Sequence, residues 1–482
     1  MILNDFLEFE TSLHLFDKII CNIKFWHIIR KHVYDNIVSQ IENINEAHEI
    51  GRSNNILLRI LVRLIHIPSW IVKSPLNLKE KDFLVICHHR RVKDKKFYRC
   101  IYTDDLLSEL NDSSYYVFED PMLDFHYRKV QTKNLKYLDY IYNEYAFIRV
   151  KNRLMKKSIL SDDEKREIEK LIKLINLSFG VNLNERKFIN DVQNHILKYN
   201  VFYKHFNKII NKINPKVIIE VVSYDFSRMV LNEVAHNSNI PVIELQHGTM
   251  GKYHEAYNFS RKSEISTFPD YIFTFGQFWN DDTRLPINDN MVRVVGWPFF
   301  ERKVKEKNIN TSIEDKKTIL FVSQGTIGIE LSKIANSLFS LIDKNKYNII
   351  YKLHPGEYSR WREKYPWLVL NDIEVIDKND HDLHYYFAKS DYLIGVNSTA
   401  LFEGLGYNLR PIIVSLFGYE TMNVLIEKGV AVLVKSPEDI LEICENKQSN
   451  KCKLDISYFW TQNSLDNMIK EIFNVIKEWK TL

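Results

Sequence analysis

A chain of 482 residues is longer than one ordinary hydrophobic core sustains, so two domains are expected. Hydrophobic residues at 45% and aromatic residues at 13% supply packed interiors and exclude a disordered chain. A net charge of +4 excludes binding of nucleic acid through bulk charge, while lysine-rich patches remain suited to anionic lipid or polysaccharide.

The five cysteines, Cys21, Cys87, Cys100, Cys444 and Cys452, are scattered and lack metal-ligand spacing. Reduced thiols are expected rather than bridges or zinc. The opening Met1-Ile2-Leu3-Asn4-Asp5 has no basic stretch ahead of an apolar one. No uncharged apolar run approaches the roughly 20 residues that a bilayer span requires. The expectation is a cytoplasmic protein, with peripheral contact at the cytoplasmic face of the inner membrane left open.

Residues 1–50 place Phe6, Phe9, Leu13, Phe16, Ile19 and Ile20 near helical spacing. From 56 to 72 an apolar run is interrupted by Arg59, Arg63 and His66, four and three residues apart and therefore on one helix face. This segment reads as a core helix with one wet stripe, or as an interfacial helix suited to a lipid-linked acceptor. Residues 83–87 form a buried-strand pattern running into His88-His89-Arg90-Arg91. Asp104 follows, and a second strand pattern at 115–118 runs into Glu119-Asp120-Pro121. Open α/β sheets display functional groups where strands end, which makes Asp104 and Glu119 candidate functional residues. The plainer alternatives are a helix cap and a solvated loop residue. His88 and His89 have no partner at ligand spacing, so no metal site is expected.

Residues 150–215 read as lysine-rich, solvated helices. A strand at 216–222, a helix near 226–237 and a strand at 241–246 lead to His247-Gly248-Thr249-Met250-Gly251. That order puts an imidazole at the sheet's carboxyl edge, beside a glycine that lets a substrate approach the backbone. Imidazole titrates near neutrality, which makes His247 the candidate general base. Two more strand-to-turn units, 271–276 and 292–298, complete the alternation of a doubly wound domain. Residues 301–317 are charged and read as a linker.

A second α/β unit opens with a strand at 318–323 and the small loop Gln324-Gly325-Thr326-Ile327-Gly328 ahead of a helix. Further strands are expected at 347–353, 374–376, 392–396, 411–415 and 429–434, with an amphipathic helix over 457–480. The expected layout is an acceptor-side domain at 1–300 (helical to 80, Rossmann-like from 81), the linker at 301–317, a nucleotide-donor domain at 318–455 and a C-terminal helix at 456–482.

Two loops of the second unit carry the chemistry. Lys352-Leu353-His354-Pro355 offers a lysine and an imidazole, and Val396-Asn397-Ser398-Thr399 offers small polar groups where a helix begins. Such groups at the ends of neighbouring parallel strands suit a nucleotide phosphate. Glu403 lies one helical turn after Thr399 on the same face.

The His354-Pro355 and Ser398-Thr399 loops resemble the His-Pro and Ser/Ser-Thr motifs of bacterial sialyltransferases and polysialyltransferases. Gln246-His247-Gly248-Thr249 ahead of them resembles the glycerophosphate polymerases that use CDP-glycerol, and capsule and O-antigen Kdo transferases share a similar plan. The resemblance covers roughly residues 215–435. It implies the GT-B class of α/β fold, two Rossmann-like doubly wound domains facing a cleft, here with extra N-terminal helices. The implied activity is metal-independent transfer of a sugar from a nucleotide-activated donor, CMP-linked for preference. The implied acceptor is a growing surface glycan of capsule or O-antigen type, or its lipid-linked form. The donor is a substrate, and neither a resident cofactor nor a nucleic-acid partner is implied. Gly325, Thr326, Lys352, His354, Pro355, Asn397, Ser398 and Thr399 would bind the nucleotide, Glu403 would accept from ribose hydroxyls, and His354 would assist departure of the phosphate. Two alternatives stay open: a polyol-phosphate transferase using a CDP-linked donor, and a non-catalytic nucleotide-sugar-binding subunit of a polysaccharide assembly complex.

Overall fold

The computed structural model describes the chain except for residues 1, 42–70, 76, 95, 122–125, 128, 308–315, 372, 379, 447–454 and 482. The amphipathic run at 56–72 lies outside the described residues apart from its last two, and Cys452 lies outside them as well. Two compact units are present, one built from residues 1–275, 279–296 and 464–482, the other from 276–278 and 297–463.

The first unit is organised on seven strands: β1 (Phe83–Ile86), β2 (Tyr115–Glu119), β3 (Leu135–Tyr137), β4 (Val217–Val221), β5 (Val242–Leu245), β6 (Tyr271–Thr274) and β7 (Val292–Val294). Their order across the sheet is β7-β6-β5-β4-β1-β2-β3, and every pairing is parallel. Every residue of β1, β4, β5 and β6 is buried, as a parallel sheet covered by helices on both faces requires. Glu220 in β4 and Glu244 in β5 break the apolar run and are paired across the two strands. Both are fully buried.

Helices α1 (Ile2–Ser12) and α2 (Trp26–Ile41) belong to this core, with Phe6, Trp26, Val33 and Ile37 fully buried beside Ile218 and Val230. Glu10 of α1 accepts from Arg30 Nε at 2.6 Å and from Trp26 Nε1 at 2.7 Å. The same guanidinium donates to the carbonyls of Glu255 and Asn258, so the N-terminal helices hold the segment that follows His247-Gly248. The short α3 (Asp104–Glu109) follows β1. The 29-residue α4 (Glu185–Ile213) corrects the expectation of merely solvated helices over 150–215. Its Phe188, Val192, Ile196, Phe202, Phe206, Ile209 and Ile213 form an apolar stripe at helical spacing that the surrounding lysines obscure in composition. Helix α5 (Phe226–Asn237) is capped by Asp225, whose carboxylate accepts from Ser227 N.

The second unit carries six strands: β8 (Lys317–Val322), β9 (Tyr347–Lys352), β10 (Glu374–Ile376), β11 (Tyr392–Gly395), β12 (Pro411–Val414) and β13 (Val432–Val434). Their order is β10-β9-β8-β11-β12-β13, again all parallel. Helix α6 (Gly328–Leu341) follows β8, and α7 (Thr399–Leu405) follows β11. The expected linker at 301–317 is in part structured. Residues 301–307 continue a helix begun at Pro298, and Trp297, Phe299 and Phe300 ahead of them are buried in the second unit. The last helix, α8 (Ser464–Trp479), belongs to the first unit, where Arg293 pairs with its Glu478 at 3.0 Å.

The molecule is thus an α/β protein of two doubly wound parallel sheets, the pair of units that the GT-B class comprises. Each strand order reverses once, between β1 and β4 in the first sheet and between β8 and β11 in the second. At such a reversal the two flanking connections leave on opposite faces and open a crevice at the carboxyl ends of the strands. Among the described residues, no helix is long and apolar enough to cross a membrane.

Candidate functional site

In the second unit, the residues singled out from sequence mostly gather on the carboxyl edge of the sheet. The loop Ser323-Gln324-Gly325-Thr326 leaves β8 and enters the 14-residue α6, with Gly325 and Thr326 exposed. Asn397, Ser398 and Thr399 leave β11 on the other side of the reversal, and His354 and Pro355 leave β9, the next strand along. Ser398 spends its hydroxyl as the N-cap of α7, accepting from Ala400 N at 3.2 Å. Two amide oxygens on the loops flanking the reversal, Gln324 Oε1 and Asn397 Oδ1, are buried without a hydrogen-bond partner among the described residues. Buried acceptors in native proteins are almost always satisfied, so these two stand out on this edge.

His354 is exposed, and its Nδ1 accepts from Gly356 N at 3.2 Å, which puts the proton of the neutral ring on Nε2. The turn it begins is fixed by Glu357, which sequence reading passed over. One carboxylate oxygen of Glu357 accepts from His354 N at 2.7 Å. The other accepts from Ser323 Oγ at 3.0 Å and from Tyr365 O–H at 2.6 Å. A single buried carboxylate therefore ties the His-Pro turn to the glycine loop of β8. The signal was present: an acid three residues after a capping side chain is the capping-box spacing. Gly328 is needed here, because a Cβ at that position would run into the Tyr365 hydroxyl and the Glu357 carboxylate.

Lys352 is only 9% exposed, and its ammonium donates to Tyr358 O–H at 2.6 Å. Burial, partly offset by the Asp377 carboxylate, lowers its pKa to about 8. Below pH 8 the ammonium is charged in the folded and unfolded chain alike, and folding bears the cost of burying it. That cost fades as pH rises from 8 toward the ordinary lysine value, so stability gains in that window. Were Lys352 a phosphate ligand, the affinity would move the other way. Affinity for a nucleotide is expected to fall as pH rises through 8, and a titration at pH 7, 8 and 9 should show that slope flattened in Lys352→Met.

Glu403 stands apart from this edge. It is 5% exposed and lies 3.6 Å from His384 Nε2, in a setting that includes the rings of Phe299, Phe300 and Tyr407 against His384. Its side chain is packed inside the unit.

In the first unit, the carboxyl edge gathers His88 and His89 after β1, Tyr224 after β4 and His247 after β5. The rings of His88 and His89 stack at 4.2 Å, and His88 lies 6.1 Å from His247. Gln246 holds the His-Gly turn, donating to the Gly248 carbonyl at 2.7 Å and accepting from Phe275 N at 2.8 Å. Tyr102 donates to the carbonyl of His247 at 2.6 Å. The imidazole sits between two phenols, with Nε2 3.0 Å from Tyr224 Oη and Nδ1 3.5 Å from Tyr257 Oη. Burial, reinforced by His254, Arg90 and Arg228, pushes the His247 pKa down to about 3, so the ring is neutral at physiological pH. Val222 at the end of β4 adopts φ 65°, a costly conformation for a β-branched residue. It turns the chain so that Ser223 N donates to Glu244 Oε1 at 3.0 Å, immediately before Tyr224.

Asp104 and Glu119 are brought together, in a buried ion network. Glu119 takes Arg91 on one oxygen and His126 Nδ1, at 2.6 Å, on the other. His126 Nε2 contacts Asp139 at 2.8 Å. Asp104 accepts from Cys100 N at 2.7 Å and Thr132 Oγ1 at 2.8 Å, with Arg91 at 3.9 Å. Despite burial, His126 and Arg91 hold Glu119 down to about 2. Both Glu119 oxygens are engaged, and neither acid enters the reading below. Among the described residues, no group of three or more His, Cys, Asp or Glu is arranged to hold a metal ion.

No protein-family model matches the chain, and no curated protein matches it. Among solved structures, UDP-GlcNAc 2-epimerase from Methanocaldococcus jannaschii is 13% identical over 81% of this chain and 99% of its own, with a TM-score of 0.49. The Neisseria meningitidis UDP-GlcNAc 2-epimerase bound to UDP-GlcNAc is 11% identical over 81% and 99%, also at 0.49. The wall teichoic acid polymerase TagF is 11% identical over 88% and 99%, at 0.45. Values this low assign neither family nor substrate to this chain, and the two-sheet fold stands on the strand orders given above.

Proposed function

We propose that the chain is a glycosyltransferase that takes a sugar from a nucleotide-activated donor, CMP-linked for preference, and delivers it to a hydroxyl of a bacterial surface glycan. The observation that carries this reading is the carboxyl edge of the second sheet. There the glycine loop entering α6, the ammonium of Lys352, the imidazole of His354 and the buried acceptors of Gln324 and Asn397 lie on adjacent loops around the reversal of strand order. Positive charge and donors suit the phosphate, and the amide oxygens suit ribose or base donors.

In the transfer, a bond forms between the acceptor oxygen and the anomeric carbon while the bond from that carbon to the nucleotide phosphate breaks. The phosphate leaves with the bonding electrons, its charge met by Lys352 and His354. The acceptor's proton goes to the imidazole of His247. With a pKa near 3 this ring is a weak base, and it takes the proton as bond formation makes the acceptor oxygen acidic.

The test is calorimetric titration of the intact protein with CMP, CDP and UDP, followed by a nucleotide-release assay with acceptor lipid present. Binding of CMP is expected. His247→Ala is expected to bind the nucleotide as before and to lose about 10²–10⁴-fold in turnover, the usual contribution of a general base. Absence of binding by all three nucleotides sinks the reading. Unchanged turnover in His247→Ala removes the base.

A further inference from the structure

The fully buried Glu244 contributes nothing to the apolar packing of its strand, and its partners lead to His247. Glu244 Oε1 accepts two hydrogen bonds, from Ser223 N at 3.0 Å and from the Tyr257 hydroxyl at 2.7 Å. A phenol carries one proton, and in Tyr257 that proton is directed at Glu244. The Tyr257 oxygen, 3.5 Å from His247 Nδ1, is therefore left able only to accept from the ring. An unprotonated Nδ1 there would set two lone pairs against each other. On the other side, Tyr224 Oη lies 3.0 Å from Nε2 and has a proton to give.

We propose that Glu244, acting through Tyr257, is a positioning residue that fixes the proton of the neutral His247 ring on Nδ1 and leaves Nε2 as the proton-accepting atom. The hydroxyl of Tyr224, 3.0 Å away, stands at the lone pair of that atom and is the hydrogen-bond donor it takes here. The backbone turn at Val222 serves this arrangement, since it delivers Ser223 N to the same carboxylate oxygen and keeps that oxygen fixed. The meaning of the arrangement for catalysis rests on the base role proposed above, but the placement of the proton does not.

The experiment is long-range proton–nitrogen correlation spectroscopy on the full chain labelled with nitrogen-15 histidine, with the His247 signals assigned from a His247→Gln spectrum. In the wild-type protein a protonated Nδ1 and a bare Nε2 are expected. In Tyr257→Phe, with folding checked by its melting curve, that preference is expected to be lost, and the two nitrogen shifts to move toward each other. A wild-type ring protonated on Nε2 overturns the proposal, and the wild-type spectrum decides this even if the variant fails to fold. An unchanged tautomer in folded Tyr257→Phe overturns it as well. The base role fails separately, by undiminished turnover in His247→Ala, and that result leaves the tautomer assignment standing.

Discussion

His354→Ala is expected to lower turnover by about 10²–10³-fold, the usual cost of removing one donor aimed at developing negative charge. It is also expected to weaken nucleotide binding by roughly 1.5–3 kcal/mol, the range for a hydrogen bond to a charged group. The expectation rests on the turn: Nδ1 is occupied by the Gly356 N–H, so the outward nitrogen is the one carrying the proton. The side chain is exposed, and Glu357 holds the turn from beneath through His354 N. The loss in folding stability should therefore be about 1 kcal/mol or less, the value of a cap. His354→Asn restores a capping oxygen without an imidazole, so it should recover the stability and not the turnover. Calorimetry with CMP, nucleotide release and urea unfolding of the three proteins separate these effects. Equal turnover in His354→Asn and wild type would make the histidine a cap alone.

Arg91→Met is expected to destabilise the first unit by roughly 3–5 kcal/mol, the cost of leaving a buried charge without its partner. Arg91 donates to Glu119 from Nε at 3.1 Å and to Thr132 from Nη1 at 2.8 Å, and its side chain is buried. Methionine fills the volume but leaves Glu119 to His126 and takes the Arg91 charge away from Asp104. The pH dependence gives a second reading of the same network. Glu119 titrates at about 2 in the folded chain against an ordinary 4.5, so its stabilisation is present above pH 4.5 and lost as pH falls toward 2. His126 is raised above its ordinary 6.5 by Asp139 and Glu119, so its contribution is complete below 6.5 and lost as pH rises through the raised value. Urea unfolding of the wild type from pH 3 to 7 should show stability falling at the acid end, and that fall should shrink in Arg91→Met. A variant within 1 kcal/mol of wild type, estimated against ordinary surface substitutions, would mean that the network carries little of the fold.

Much of the fold could be read from the chain because parallel strands buried on both faces leave unbroken apolar runs. Ile219, Ile243, Phe321 and Ile394 all lie in segments identified that way. The runs at 83–87 and 318–323 were placed within a residue or two of β1 and β8. The long α4 was misjudged because its buried stripe is diluted by lysines in any count that ignores period. The loops at 325–326, 354–355 and 397–399 were legible as strand ends, and parallel pairing brings strand ends to one edge. What escaped notice depends on partners distant in sequence. Glu357 acquires its meaning from Ser323 and Tyr365, and Glu244 from Ser223 and Tyr257. A glutamate inside an otherwise apolar strand, as at 220 and 244, was the available hint, since an acid so placed demands partners. Glu403 shares a helix face with Thr399, and only packing reveals that it is 5% exposed beside His384.

The return of α8 to the first unit has a consequence for biosynthesis. The unit whose residues emerge first from the ribosome also requires residues 464–482, so it cannot close until the other unit has been made. Residues 297–463, by contrast, form an almost uninterrupted stretch able to condense while translation is still under way. The earlier half of the protein is therefore the later to be completed.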